Sequence, residues 1–148
     1  TNGVTKGMTF SSPSIYTPTG PLSILSVEEL IALLNSGPVE VTTNSAYCGD
    51  GDIIIDTDMD SSVGLGYATD HRFTLTSDRD LIIRGSVQNS GFGDIYCNVG
   101  RDLHMDGETS GISRLGSQLG NVYIKTGRDI LMIGGSSGQA HIGFDNPF

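Results

Sequence analysis

One stretch of this chain occurs twice without a gap. Gly93-Asp94-Ile95-Tyr96-Cys97-Asn98-Val99-Gly100-Arg101-Asp102-Leu103-His104-Met105 returns 27 positions on, as Gly120-Asn121-Val122-Tyr123-Ile124-Lys125-Thr126-Gly127-Arg128-Asp129-Ile130-Leu131-Met132. An earlier copy runs Phe73-Thr74-Leu75-Thr76-Ser77-Asp78-Arg79-Asp80-Leu81-Ile82-Ile83, with its Asp80 standing 22 positions before Asp102. A partial copy is read at Gly51-Asp52-Ile53-Ile54-Ile55, and Val39-Glu40-Val41-Thr42 is a candidate for a still earlier one. Self-similarity on this scale constrains a fold more than any local propensity, because each copy is one structural unit that leans on its neighbours.

Within each copy the apolar residues alternate. Phe73 and Leu75 match Ile95 and Cys97, and both pairs match Val122 and Ile124. Beyond the Arg-Asp pair, Leu81 and Ile83 match Leu103 and Met105, then Ile130 and Met132. A period of two places these twelve side chains on one buried face. Equal positions of successive copies must then stack about 4.8 Å apart. The sequence therefore predicts an all-β chain, a right-handed parallel β-helix (β-solenoid) with one coil per copy. The unequal spacing of the copies is assigned to Gly- and Ser-rich corner loops, such as 107–120.

Composition agrees. Gly reaches 21 of 148 residues, charged residues are 17%, and the net charge is −9. Gly, Ser, Thr, Asn and Asp suit tight turns, while Val, Ile, Leu and Thr suit short strands. A surface this acidic repels phosphate backbones, which argues against nucleic acid as a partner. No apolar run approaches the ~20 residues of a membrane helix. The chain opens Thr1-Asn2-Gly3, without Met and without a basic and apolar leader, so it reads as a processed mature form or an excised fragment. Two cysteines are too few for a disulfide scaffold.

The Arg-Asp pair recurs at each corner as Arg79-Asp80, Arg101-Asp102 and Arg128-Asp129. Stacking puts these charges in a column, where Arg of one coil reaches Asp of the next. A structural salt-bridge ladder is preferred over a catalytic reading, since catalysis does not need the same pair on every rung.

Residues 1–21 are expected to form an extended segment, strand-like over Met8–Tyr16, and 22–148 the solenoid domain. The clear helix is 26–36. Ser26 and Glu29 read as a capping box, Val27, Leu30, Ile31 and Leu34 make an apolar stripe, and Gly37-Pro38 ends it. It is placed over the first coil or beside it. At the other end Ala140–Phe144 reads as a last strand with no polar cap after it, which leaves an open edge.

These residues resemble a known family. Ile24-Leu25-Ser26-Val27-Glu28-Glu29-Leu30, followed by Leu34-Asn35-Ser36-Gly37-Pro38-Val39-Glu40-Val41-Thr42-Thr43, is similar to the S-V-x-x-L-N-x-x-L-x-x-G-x-V-x-V-x-T stretch of large secreted proteins of the filamentous haemagglutinin type. Gly51-Asp52-Ile53 and Phe73-Thr74-Leu75 continue the pattern, and Gly127-Arg128-Asp129-Ile130, Gly134-Gly135 and Ala140-His141-Ile142-Gly143 look like its closing element. The resemblance spans roughly residues 22–144. It implies a right-handed parallel β-helix displayed outside the cell, as an adhesin or surface fibre. The chain is short for that family, which favours a fragment or a small protomer that polymerises.

Other chemistry is weighed against blander alternatives. Asp56, Asp58 and Asp60 fall on one side of an extended strand and are hard oxygen donors suited to Ca²⁺. The EF-hand glycine and distal Glu are missing, so a solvated acidic corner is preferred. Cys97 takes an inward position and reads as an inert buried thiol. Cys48 precedes it by about two rungs, roughly 10 Å, too far for a disulfide unless a loop bends. His71, His104 and His141 lack metal spacing. His104, aligned with Ile82 and Leu131, takes an outward position; an ordinary lateral face is preferred there over an apolar stripe for packing between subunits. No acid pair stands apart from the corner ladder in the way a glycan-cleaving enzyme requires. The expectation is a secreted or cell-surface structural module without a cofactor. It would associate end to end with copies of itself or with flanking coils, or by exchanging its N-terminal segment. An adhesin module binding a glycan or receptor is the alternative.

Overall fold

The computed structural model describes residues 5, 8–11, 15–20, 22–43, 50–56, 65–135 and 138–144. A hairpin opens the chain, β1 (Met8–Ser11) antiparallel to β2 (Ile15–Pro18). The helix α1 (Val27–Ser36) follows. Four circuits of three strands come next: β3 (Val39–Thr42), β4 (Ile53–Asp56) and β5 (Leu65–Tyr67); β6 (Phe73–Ser77), β7 (Leu81–Arg84) and β8 (Ser86–Asn89); β9 (Ile95–Val99), β10 (Leu103–Asp106) and β11 (Ile112–Ser117); β12 (Val122–Thr126), β13 (Ile130–Ile133) and β14 (Gln139–Ile142). One helical turn, α2 (Gly107–Ser110), interrupts the third circuit.

Every third strand pairs in parallel. The first sheet runs β1-β2-β3-β6-β9-β12, the second β13-β10-β7-β4, and the third β14-β11-β8-β5. The registers are those the aligned copies require: Phe73 sits under Ile95 and Ile95 under Val122, while Leu81, Leu103 and Ile130 form the matching column in the second sheet. The chain is thus mostly β, with three sheets of parallel strands and a short helix, an architecture compatible with a parallel β-helix.

Inward residues of the middle circuits make the core. Phe73, Leu75, Leu81, Ile83, Ile95, Cys97, Leu103 and Met105 are all at most 2% exposed. Val122 and Ile124 pack on it from the last circuit and are only partly buried. Ile130 and Met132 depart from expectation. They are 45% and 46% exposed, because among the described residues no further circuit covers the last one. Their inward direction is as the alternation requires; burial needs a rung above as well as a rung below.

The corner glycines are set by stacking. A Cβ on Gly100 would lie 2.0 Å from the Asp78 carbonyl oxygen, and one on Gly127 would lie 2.0 Å from that of Gly100. Backbone passes so close beneath these two positions that only glycine fits.

Three local readings are corrected. Gly51-Asp52-Ile53 does not open a coil like Gly93-Asp94-Ile95; Ile53 pairs with Leu81, so Gly51-Asp52 is a corner, with Gly51 standing where the later copies have Arg. Stretch 107–120 is not a loop, since it contains β11; the extra residues sit at the corner before that strand, as α2. The capping box at α1 is only half formed. Ser26 Oγ accepts from the Glu29 N–H at 3.2 Å, but the Glu29 carboxylate accepts from the Thr5 hydroxyl, and the Ser26 N–H donates to Thr5 Oγ1 at 3.1 Å.

Within the segment before residue 22, β1 and β2 add to the first sheet, for β2 pairs with β3. α1 packs against β3 and β5 and buries Leu30 and Leu34. The Thr69 hydroxyl donates to the Leu34 carbonyl at 2.9 Å and ties the helix end to the circuit above.

Leu103→Ala in a middle circuit is expected to lower the unfolding free energy by roughly 2–5 kcal/mol. Ile130→Ala, at the equivalent position of the exposed circuit, is expected to cost about 1 kcal/mol or less. Urea unfolding of both variants checks this; equal losses would contradict the assignment of the last circuit as uncovered.

Candidate functional site

Two features run along the stack and stop at the last circuit: the charged corner between the first and second sheets, and a short series of stacked side chains on the first sheet's outer face. Their geometry defines what the end of the molecule presents.

At the corner the same contact is made three times. Asp52 accepts from Arg79 Nε at 2.8 Å and Nη2 at 2.6 Å, and from the Asp80 backbone N–H at 3.0 Å. Asp80 accepts from Arg101 Nε at 2.7 Å, from Arg101 Nη2, and from the Asp102 N–H at 3.2 Å. Asp102 accepts from Arg128 Nε at 2.9 Å, from Arg128 Nη2, and from the Asp129 N–H at 3.1 Å. Each carboxylate therefore takes a two-pronged guanidinium from the circuit above, plus one backbone N–H. Asp80 and Asp102 are nearly covered, with side chains 8% and 4% exposed. The Arg101 hydrogen bond holds the Asp80 carboxyl below the ordinary carboxylate range against its burial, and Arg128 does the same for Asp102.

Asp129 breaks the series. Its side chain is 63% exposed, and the cation beside it is Arg128 of its own circuit, at 3.7 Å. The same contact within a circuit joins Arg101 to Asp102, also at 3.7 Å, so what Asp129 lacks is the arginine from above. The backbone stops at the same place. Ile53, Leu81 and Leu103 each donate an N–H to the carbonyl of Asp80, Asp102 and Asp129, one circuit higher. Ile130 holds the corresponding position on the last circuit.

On the first sheet's outer face Tyr96 and Tyr123 stack with centroids 4.5 Å apart and planes 20° off parallel. The Arg72 guanidinium lies 5.4 Å from the Tyr96 ring centre. The sequence reading passed over this stack. The signal was present, since both tyrosines occupy one position of the repeat, but outward positions carry no apolar alternation to draw notice.

The third sheet holds buried polar groups that shape the turn back to the first. Asn89 uses its whole amide: Oδ1 accepts from Thr69 and Gly91 N–H groups at 3.0 Å each, and Nδ2 donates to the Thr69 and Gly93 carbonyls at 2.9 and 2.8 Å. Ser117 Oγ donates to the Gly93 carbonyl at 2.9 Å.

The two ends of the stack differ. At the start, β3 is covered by β2, and α1 lies against β5. β4 borders an apolar groove of about 570 Å³ lined by Met8, Leu25, Val41, Ile53, Ile55 and Leu65. At the finish, β12, β13 and β14 are the outermost strands of their three sheets, and Tyr123, Ile130, Leu131, Met132 and Ile133 are 40–47% exposed.

The remaining candidates fall as follows. Asp58, Asp60 and Cys48 lie outside the described residues. Asp56 is 4.0 Å from Arg84. Asp80, Asp102 and His104 lie close enough together to hold a metal ion. Both carboxylates, however, are already engaged by arginines. Cys97 is a free, fully buried thiol whose pKa burial pushes up to about 12. His104 pairs in register with Ile82 and Leu131 on the outer face of the second sheet. Among the described residues no helix is long and apolar enough to cross a membrane. No protein-family model, no curated protein and no solved structure matches the chain.

The corner column makes stability depend on pH with a definite sign. Asp80 and Asp102 have folded pKa values below their unfolded ones. Their contribution is fully present above the ordinary carboxylate range and is lost as pH falls through the folded values. The urea midpoint is expected to fall as pH drops below about 4, and to fall less in an Asp80→Asn/Asp102→Asn variant. Identical slopes in the two proteins would contradict the column's role.

Proposed function

We propose that this chain is a structural module, a right-handed parallel β-helix that works as part of an extracellular fibre or filament and is lengthened by further coils at its open end. The observation that carries this reading is the difference between the two ends. At the start a hairpin covers β3 and a helix lies against β5, leaving β4 as an outer strand, whereas the finish offers three outer strands and a row of half-exposed apolar side chains. Strand edges and apolar faces of this size are association surfaces unless something blunts them. The right-handed path follows from the strong preference of parallel crossovers for that hand. Placement outside the cell rests on the resemblance to haemagglutinin-type repeats.

An adhesin reading draws on one feature, the aromatic stack of Tyr96 and Tyr123 with Arg72 on the lateral face. Rings beside a guanidinium are a familiar surface for sugars. The end of the stack supports the structural reading more directly, because it involves all three sheets.

The purified chain is expected to associate reversibly, open end against open end, as its concentration rises in sedimentation velocity. Ile130→Lys/Met132→Lys, which puts two charges on the open end, is expected to sediment as a monomer while remaining folded, with a melting temperature lowered by only several degrees. A wild-type chain that stays monomeric throughout, or a variant that associates like wild type, would contradict the proposal.

A further inference from the structure

The open end also specifies the coil that fits it. We infer that the partner of this end is a β-solenoid coil carrying arginine at its corner, directly above Asp129, and a planar side chain above Tyr123, and that the first coil of a second copy of this chain is not that partner. The inference rests on the structural reading above and narrows it.

Three rungs give the rule for the corner. Asp52, Asp80 and Asp102 each bind the arginine of the next circuit through Nε and Nη2, and each accepts the N–H of the residue after that arginine. Asp129 occupies the fourth place in this column with its carboxylate exposed. Covering that carboxylate with apolar chain, or with another acid, would bury an uncompensated charge. An arginine followed by any residue with a free N–H satisfies it completely. On the neighbouring face, Arg72, Tyr96 and Tyr123 lie in one stacked series. Tyr123 is its last member and 47% exposed, so a ring or guanidinium continues the series.

The chain's own first coil fails both requirements. Through the register Ile53 with Leu81, the residue in the arginine position is Gly51, flanked by Asp50 and Asp52. Set above Asp129, this corner would oppose acid to acid. The outward position that matches Tyr96 and Tyr123 is Glu40 in the first coil, through Thr74. The first coil is also hindered, since β2 already holds the edge of β3 that β12 would need, and α1 lies against β5. A head-to-tail copy could meet the open end in full register only after losing its hairpin and helix.

The test uses the full chain and synthetic peptides added in trans. One peptide copies Gly120–Ile133 and so carries both the tyrosine and the arginine. A second carries Arg128→Gln, and a third copies the first-coil corner, Asp50–Asp56. Binding is measured by calorimetry, and self-association by sedimentation in the same mixtures. The arginine peptide is expected to bind saturably and to suppress self-association. The glutamine peptide is expected to bind about tenfold more weakly, and the first-coil peptide more weakly still. On an Asp129→Asn chain the arginine and glutamine peptides are expected to bind alike. Equal binding of these two peptides to the unmodified chain, tighter binding of the first-coil peptide, or no binding by the arginine peptide would overturn the inference. Self-association that persists in those cases leaves the structural module standing, whereas its absence as well overturns both.

Discussion

A coil of three short strands has one inward face and no means of covering it. Every other feature of this molecule follows from that constraint. The inward side chains must meet those of the circuits above and below, so they stack at equal positions in register. Strands one circuit apart must then run parallel, and their N–H and C=O groups are satisfied only by neighbours along the stack. Burial accordingly follows position in the stack. Leu81 and Leu103 are fully buried, while Ile130, the next member of their column, is 45% exposed.

The charged corner is the second consequence. Chain direction changes there, and side chains at the bend must pack against their copies on the next circuit. Stacked aspartates alone would repel and lose solvation. Interleaving arginines converts the column into alternating charge, with Asp52, Asp80 and Asp102 each bridged to the circuit above. The contact also resists slippage, because displacing one circuit by a residue would part both prongs of each guanidinium and turn the apolar face outward. Gly100 and Gly127 belong to the same device, since the backbone beneath leaves no room for a side chain.

Much of this was legible in the sequence, and the gaps have physical causes. The first two sheets were legible because their inward residues are apolar at a period of two, as in Ile95 and Cys97 or Leu103 and Met105. The third sheet was not. Its inward positions include Asn89, Ser113 and Ser117, buried polar groups whose partners are turn carbonyls and N–H groups that no pattern of letters reveals. The string Gly51-Asp52-Ile53 misled for a related reason. It matches the opening of a coil letter by letter, yet it works as a corner, where Asp52 is needed for Arg79 and glycine replaces arginine. The corner pairs were legible at the upper two rungs, where Asp80 meets Arg101 and Asp102 meets Arg128, but Asp52 was not seen as the partner of Arg79. The openness of the last rung was legible only as a missing cap, and the exposure of Ile130 and Met132 depends on what lies above them in the stack, which alternation does not encode.

The central claim is that each circuit depends on the one above it and that, among the described residues, the last circuit has none. Backbone hydrogen exchange tests this most directly, on a dilute sample where association is suppressed. The Leu81 and Leu103 amides, which donate to the Asp102 and Asp129 carbonyls, are predicted to exchange slowly, in step with global unfolding. The Ile130 amide is predicted to exchange many-fold faster, although it belongs to the same column. Protection of Ile130 equal to that of Leu103 would contradict the account, because it would mean the stack does not end where its last strand does.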